Sequence, residues 1–129
     1  MFLDPPDEPS AGALRNTANG DMVAETLEFA LSRSARRRGL LGRDSLAAGR
    51  GMLIAPCSSI HTWFMRFPID VIFVRRDGLV VKVCRRVAPW RMVMGWSAYA
   101  TVELPIGAID RSAVAVGHRL ELVSRSSPS

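Results

Sequence analysis

Two runs rich in β-branched residues, 70–75 and 79–85, flank Arg76-Asp77-Gly78, and no other feature constrains this chain as tightly. Asp-Gly tolerates the positive φ values that a tight turn between two strands requires, so the segment predicts an antiparallel hairpin. Side chains alternate across a strand, yet Val71 and Phe73 on one side of the first run and Ile72 and Val74 on the other are all apolar. That strand must be covered on both faces, which places it inside a layered or curled sheet.

Neighbouring segments extend the same architecture. Leu27, Phe29 and Leu31 alternate with Glu28, Ala30 and Ser32, predicting a half-buried strand over 22–30. Ser32 is placed to cap a short helix through Arg33, Arg36, Arg37 and Arg38, which Gly39 or Gly42 would end. An apolar strand over 51–55 stops at Pro56, another spans 101–106, a helical turn follows Gly107, and a closing strand covers 118–123. The expected class is mostly β (α+β): a single compact β-barrel-like domain with one or two short helices over 21–123. A flexible acidic N-terminal arm over 1–20 and a frayed tail over 124–129 are expected to flank it.

Charge divides along the chain. Residues 1–30 hold six acids and one base, whereas residues 31–129 hold 16 bases and six acids, so a basic body follows an acidic arm within a net charge of +5. The bases cluster as Arg36-Arg37-Arg38, Arg75-Arg76 and Arg85-Arg86, and the two pairs flanking the hairpin are expected to come together in space. A basic body attracts nucleic acid, anionic lipid or an acidic partner. Few aromatics interleave with these bases and no nucleic-acid motif is present, which disfavours nucleic acid. The opening residues have neither the basic nor the apolar region of a secretory signal, and no apolar run is long enough to span a membrane, so a cytoplasmic monomer is the expectation. Phosphate-binding loops, dinucleotide fingerprints and nucleophile elbows are absent from the sequence, which excludes those well-marked chemistries.

Candidate site residues follow from polar groups in apolar surroundings. Asp70 lies between Ile69 and Val71, and Glu103 between Val102 and Leu104, so each carboxylate must face water or find donors. At one mouth of a barrel the two would serve as an acid and base pair or hold a cation. Cys57 and His61 are too far apart on an extended chain to act as nucleophile and base. With Cys84 and His118 they complete the chain's cysteines and histidines, and none has zinc-site spacing, so two free thiols, no metal and no cofactor are expected. Cys84 is expected to share the outward face of its strand with Lys82. Trp90, Met92, Met94 and Trp96 share a face if the chain is extended there, a soft stripe suited to a flap or a partner surface.

Several of these segments are similar to the motifs of the bacterial and archaeal family known as domain of unknown function 192. The matched parts are residues 38–43, 51–53, 61–73, 102–107 and 116–120, including His61-Thr62-Trp63-Phe64-Met65-Arg66-Phe67-Pro68-Ile69-Asp70 and Val102-Glu103-Leu104-Pro105. The resemblance covers residues 22–123 and implies the same β-rich fold, with Asp70 and Glu103 at the family's acidic positions. Members often carry an export signal. The chain departs from the pattern at Leu41 where Met is usual, Ile106 where Ala is usual, and His118 where Asp is common.

The function expected is that of a small non-enzymatic binding or accessory module for an unknown protein or small-molecule ligand. Its polar pocket would be formed by His61, Trp63, Met65, Arg66, Asp70 and Glu103, beside an apolar flap of Trp90, Met92, Met94 and Trp96. The alternatives are a hydrolase-like small-molecule enzyme using Asp70 and Glu103, with His61 assisting, and binding of nucleic acid or an acidic partner through the arginine clusters.

Overall fold

The computed structural model describes residues 12–124, which form nine strands and two short helices. In chain order these are β1 (Gly12–Asn16), β2 (Met22–Ala30), α1 (Arg33–Arg38), β3 (Arg50–Ile54), β4 (Ser59–His61), β5 (Ile69–Val74), β6 (Val80–Val87), β7 (Met92–Met94), β8 (Ala100–Pro105), α2 (Ala108–Ser112) and β9 (Leu120–Ser124). Seven strands make one curled sheet in the order β6-β5-β8-β3-β2-β1-β9, and β4 pairs with β7 in a separate two-stranded sheet. The edges β6 and β9 approach at one end, where Leu79 bridges Arg119 and the Val80 N–H donates to the His118 carbonyl. The result is a half-barrel, mostly β as expected.

The hairpin forms as its sequence dictates: β5 pairs antiparallel with β6, and Gly78 in the turn takes a φ of 90°. Every residue of β5 is buried, because apolar clusters cover both of its faces. Ile72 and Val74 join Leu14, Leu27, Leu53 and Val102 inside the curl, with Ile109 of α2 closing one end. Ile69, Val71 and Phe73 join Met52, Ile54 and Met65 on the other face, where Leu40 and the β4–β7 region cover them. A parallel pair requires a crossover, and the chain from α1 to Gly49 supplies it between β2 and β3. Ser32 caps α1 by accepting the Ala35 N–H, and Gly39 ends it.

Three expectations are corrected. Residues 12–16 are not part of an arm: they form β1, held on one side by β2 and on the other by β9. Residues 1–11, the rest of that expected arm, and residues 125–129 of the expected tail lie outside the described residues. Arg75-Arg76 and Arg85-Arg86 do not meet, because the register places the first pair at the turn and the second beside Asp70, roughly 16 Å away along the hairpin. Cys84 does share a face with Lys82, opposite Val71 and Phe73, but that face is not outward at Cys84, where the thiol packs against the cluster of Val71 and Phe73.

Candidate functional site

The two buried carboxylates face opposite sides of the sheet. Asp70 lies opposite Leu104, whose side chain belongs to the cluster inside the curl, while Glu103 lies opposite both Val71 and Met52 on the outer face. A carboxylate pair sharing a substrate needs one face and one cavity, so this register removes Asp70 and Glu103 as a joint acid and base. It equally removes a cation site shared by Asp70, Glu103 and His61, and no three His, Cys, Asp or Glu side chains gather for a metal among the described residues.

Asp70 is saturated by backbone donors. Its residue is 1% exposed; Oδ1 accepts the Arg86 N–H at 3.0 Å, and Oδ2 accepts the N–H groups of Gly107 at 3.1 Å and Ile109 at 3.0 Å. Arg86 is in the β6 bulge, with a φ of 51° and an N–H turned out of the ladder. Gly107 and Ile109 begin α2, where Gly107 offers no side-chain cap. Asp70 thus caps a helix and a bulge from a neighbouring strand, satisfying orphan donors at both.

Glu103 is the converse. It is 5% exposed and accepts no hydrogen bond from any described residue. Burial raises its carboxyl to about 7, against the opposing field of Arg43, whose guanidinium is committed to Glu28 at 2.7 and 3.2 Å. That pairing holds Glu28 below its usual range. Gly39 closes over Glu103: a β-carbon there would lie 3.4 Å from Oε1, and the residue has a φ of 48°. The matched Gly-Leu segment after α1 therefore has a local reason for its glycine, the positive φ with which the chain leaves the helix beside the carboxyl.

Above Glu103 opens a cleft of about 140 Å³. Arg36, Arg37 and Arg38 of α1 line it together with Cys57, Ser59 and His61, and the buried Met65 and Ile54 complete the lining with the carboxyl. Arg36 donates through Nη1 to the Pro56 carbonyl at 3.1 Å, while its Nε is buried without a partner. The Cys57 thiol donates to the Ser59 carbonyl, and the His61 ring lies against Trp63 with centroids 4.8 Å apart. A second hollow, of about 260 Å³ between Phe29, Leu53, Tyr99 and Leu122, has no charged group in its lining.

Of the six residues expected in a polar pocket, His61, Met65 and Glu103 come together. Trp63 is beside them through its stacking on His61, Arg66 turns outward to pair with exposed Asp44, and Asp70 is on the far face. Sequence reasoning missed that α1 supplies arginines to the lining, since only the β2–β3 crossover brings them there. It also missed Thr62, which is buried and ties the 62–65 loop to the 88–91 loop. The Thr62 hydroxyl donates to the Ala88 carbonyl at 2.7 Å and accepts the Arg91 N–H at 2.9 Å.

Trp90, Met92, Met94 and Trp96 are all exposed, as their alternation implied, while Val93 turns inward. Gly95 fixes the segment to the main sheet, because a β-carbon there would fall 2.4 Å from the ring of Phe73. His118, standing where Asp was expected from the resemblance, is an acceptor: its Nδ1 receives the Ala115 N–H, and Asn16 Nδ2 lies at 3.2 Å.

Comparison with known proteins fits this frame. The model of the family domain of unknown function 192, described as an uncharacterized ACR, matches residues 14–122. The chain belongs to that family. Its fold is shared with a Sinorhizobium meliloti protein named provisionally as a transcription regulator, 26% identical, with a TM-score of 0.76 over 90% of this chain and 97% of that one. A protein of unknown function from Novosphingobium aromaticivorans, 20% identical, shares the fold with a TM-score of 0.74 over 86% of this chain and 83% of that one. No curated protein matches. No described helix is long and apolar enough to cross a membrane.

Proposed function

We propose that this domain is a binding module whose cleft takes a small polar ligand bearing a hydrogen-bond donor and an acidic group. The observation that carries this reading is Glu103, a buried carboxyl with no donor among the described residues, in a cleft that three arginines also line. Ionising a carboxyl that burial has largely desolvated is costly, and a ligand that supplies an ammonium or hydroxyl to it recovers that cost. The guanidinium groups of Arg36, Arg37 and Arg38 offer charge and directed N–H donors to a carboxylate or phosphate at the mouth. The cleft is smaller than the ~300–1,000 Å³ usual for drug-sized ligands, which favours a compact molecule.

A nucleic-acid reading, suggested by the provisional name of the Sinorhizobium protein, has less support. Arg15, Arg43, Arg66, Arg75, Arg85 and Arg119 are each paired with a carboxylate, and the arginine pairs of the hairpin lie apart. Two experiments test the ligand reading. Native mass spectrometry of the purified chain, compared with its denatured mass, detects a retained ligand. Titration with aminocarboxylates, hydroxycarboxylates and amino-sugar phosphates, followed by backbone amide NMR shifts, then locates it. Shifts at Gly39, Cys57, His61 and Glu103 that vanish in Glu103→Leu are expected. Shifts that persist unchanged in that variant, or none with any of the three classes, would refute the reading.

A further inference from the structure

Six large apolar side chains project from one face built by β4, β7 and their loops: Trp96 is 84% exposed, Phe64 70%, Met92 60%, Trp90 57%, Met94 46% and Trp63 43%. The pairing of Ser59 with Met94 and His61 with Met92 makes the small sheet a platform, and the Phe64 ring meets that of Trp90 edge-on at 4.7 Å. The two loops therefore form one surface. Its backbone is held from beneath by Thr62 and by Gly95 against Phe73, so the exposure belongs to an ordered segment. All three tryptophans of the chain are on it. Contiguous apolar surface of this kind marks a site of interaction.

Charge identifies the occupant. The stretch between Asp44 and Asp70 and the stretch between Asp77 and Glu103, which together build this face, contain no carboxylate, but they include Arg66, Lys82, Arg85, Arg86 and Arg91. Arg66 and Arg85 are neutralised by Asp44 and Asp110. Lys82, Arg86 and Arg91 have no carboxylate partner among the described residues, and the donors of Lys82 and Arg91 reach the backbone carbonyls of Met94 and Trp90, which holds these two cations uncompensated beside the apolar face. Tryptophan bodies flanked by cations whose charge lies at the rim match the layered chemistry of a lipid headgroup region, apolar below and anionic above.

We propose that this face docks peripherally on an anionic lipid bilayer, with Trp96, Phe64 and Met92 entering the interfacial layer and Lys82 and Arg91 meeting lipid phosphates. The site is separate from the Glu103 carboxyl, and the proposal does not depend on what the cleft binds.

The test is sedimentation of the full chain with unilamellar vesicles, either of phosphatidylcholine alone or of phosphatidylcholine mixed with phosphatidylglycerol. Tryptophan emission is recorded alongside, since every tryptophan reports on this face. The expected result is a blue shift and binding about thirty-fold tighter to the anionic vesicles, from two cations near the surface. The Phe64→Ser/Trp96→Ser double variant should lose at least about ten-fold in affinity with its circular dichroism unchanged. Lys82→Gln with Arg91→Gln should abolish the preference for phosphatidylglycerol. No binding to anionic vesicles, equal binding to both kinds, or binding undiminished in the double variant would each overturn the proposal. So would concentration-dependent dimerisation that the double variant abolishes, which would assign the face to a second copy of the chain.

Discussion

Asp70 and Glu103 are buried carboxylates on adjacent strands, one residue out of register, and their surroundings are opposite. The first receives three backbone N–H groups and joins a bulge, a glycine turn and a helix start into one unit. The second receives none from the described residues and lies open to a cleft. Burial alone therefore does not distinguish a structural acid from a binding one; the donor inventory does. Hydrogen bonds from the protein make Asp70 part of the fold, whereas Glu103 has no donor among the described residues and is the acceptor on which the ligand proposal rests.

The largest expected effect breaks the saturated side. Asp70→Ala leaves three backbone N–H donors without their acceptor and should destabilise the domain by about 4 kcal/mol in urea unfolding, more than the ~1–3 kcal/mol of one unsatisfied buried group because three are orphaned together. A cost below about 1 kcal/mol would show that Asp70 is not the staple its contacts describe.

Removing the charge on the open side should act with the opposite sign. The unfolded Glu103 carboxyl titrates at its ordinary value of 4.5 and the folded one at about 7. Between these values the native state holds a proton that the unfolded state has released, so this group lowers stability progressively as pH rises from 4.5 to 7, and the full cost stands above 7. Glu103→Gln should thus be stabilising at pH 8, by up to about 3 kcal/mol, with little difference from the parent at pH 4. Melting curves of both proteins across that range check the sign. A variant less stable than the parent at pH 8 would mean that ionised Glu103 is well solvated or paired.

A smaller effect sharpens the contrast at the flap. Thr62→Val preserves shape but removes the hydroxyl that joins two loops, and should cost about 1–2 kcal/mol. Amide exchange should quicken at Arg91, whose N–H donates to that hydroxyl, and remain unchanged at Ile109. Smallest is Arg43→Gln, which exposes Glu28 and withdraws the field that lowers Glu103. It should cost ~0.5–1 kcal/mol, since the Arg43–Glu28 pair is partly exposed, and should move the Glu103 titration, followed by side-chain carboxyl NMR, further upward.

Legibility in the sequence followed locality. The β5–β6 hairpin rests on Asp77-Gly78, α1 on Ser32 and Gly39, and the outward stripe of Trp90, Met92, Met94 and Trp96 on simple alternation, so each was readable within about ten residues of chain. β1 was not, because Gly12–Asn16 carries little apolar pattern of its own and is completed on one side by β9, whose residues lie more than a hundred positions on. The separation of Asp70 from Glu103 likewise depends on how β5 and β8 align, which neither strand encodes alone. His61, Met65 and Glu103 were recognisable as polar or adaptable residues in matched motifs, but the arginines that line the cleft with them are placed by the path of the crossover from β2 to β3. Asp70 was legible as a buried acid, while its donors come from a bulge and a helix start that only the folded chain assembles.

The placing of β1 between β2 and β9 has one more consequence. Gly12 is the cross-strand partner of Ser124, so the first and last described strands leave the sheet side by side. A circularly permuted chain, spliced across that edge by a short linker and reopened at the 76–78 turn, would keep every strand pairing and the setting of both carboxylates. A passenger domain joined directly at Gly12 or at Ser124 would start from the same pair of neighbouring residues, giving the sheet a single point of attachment.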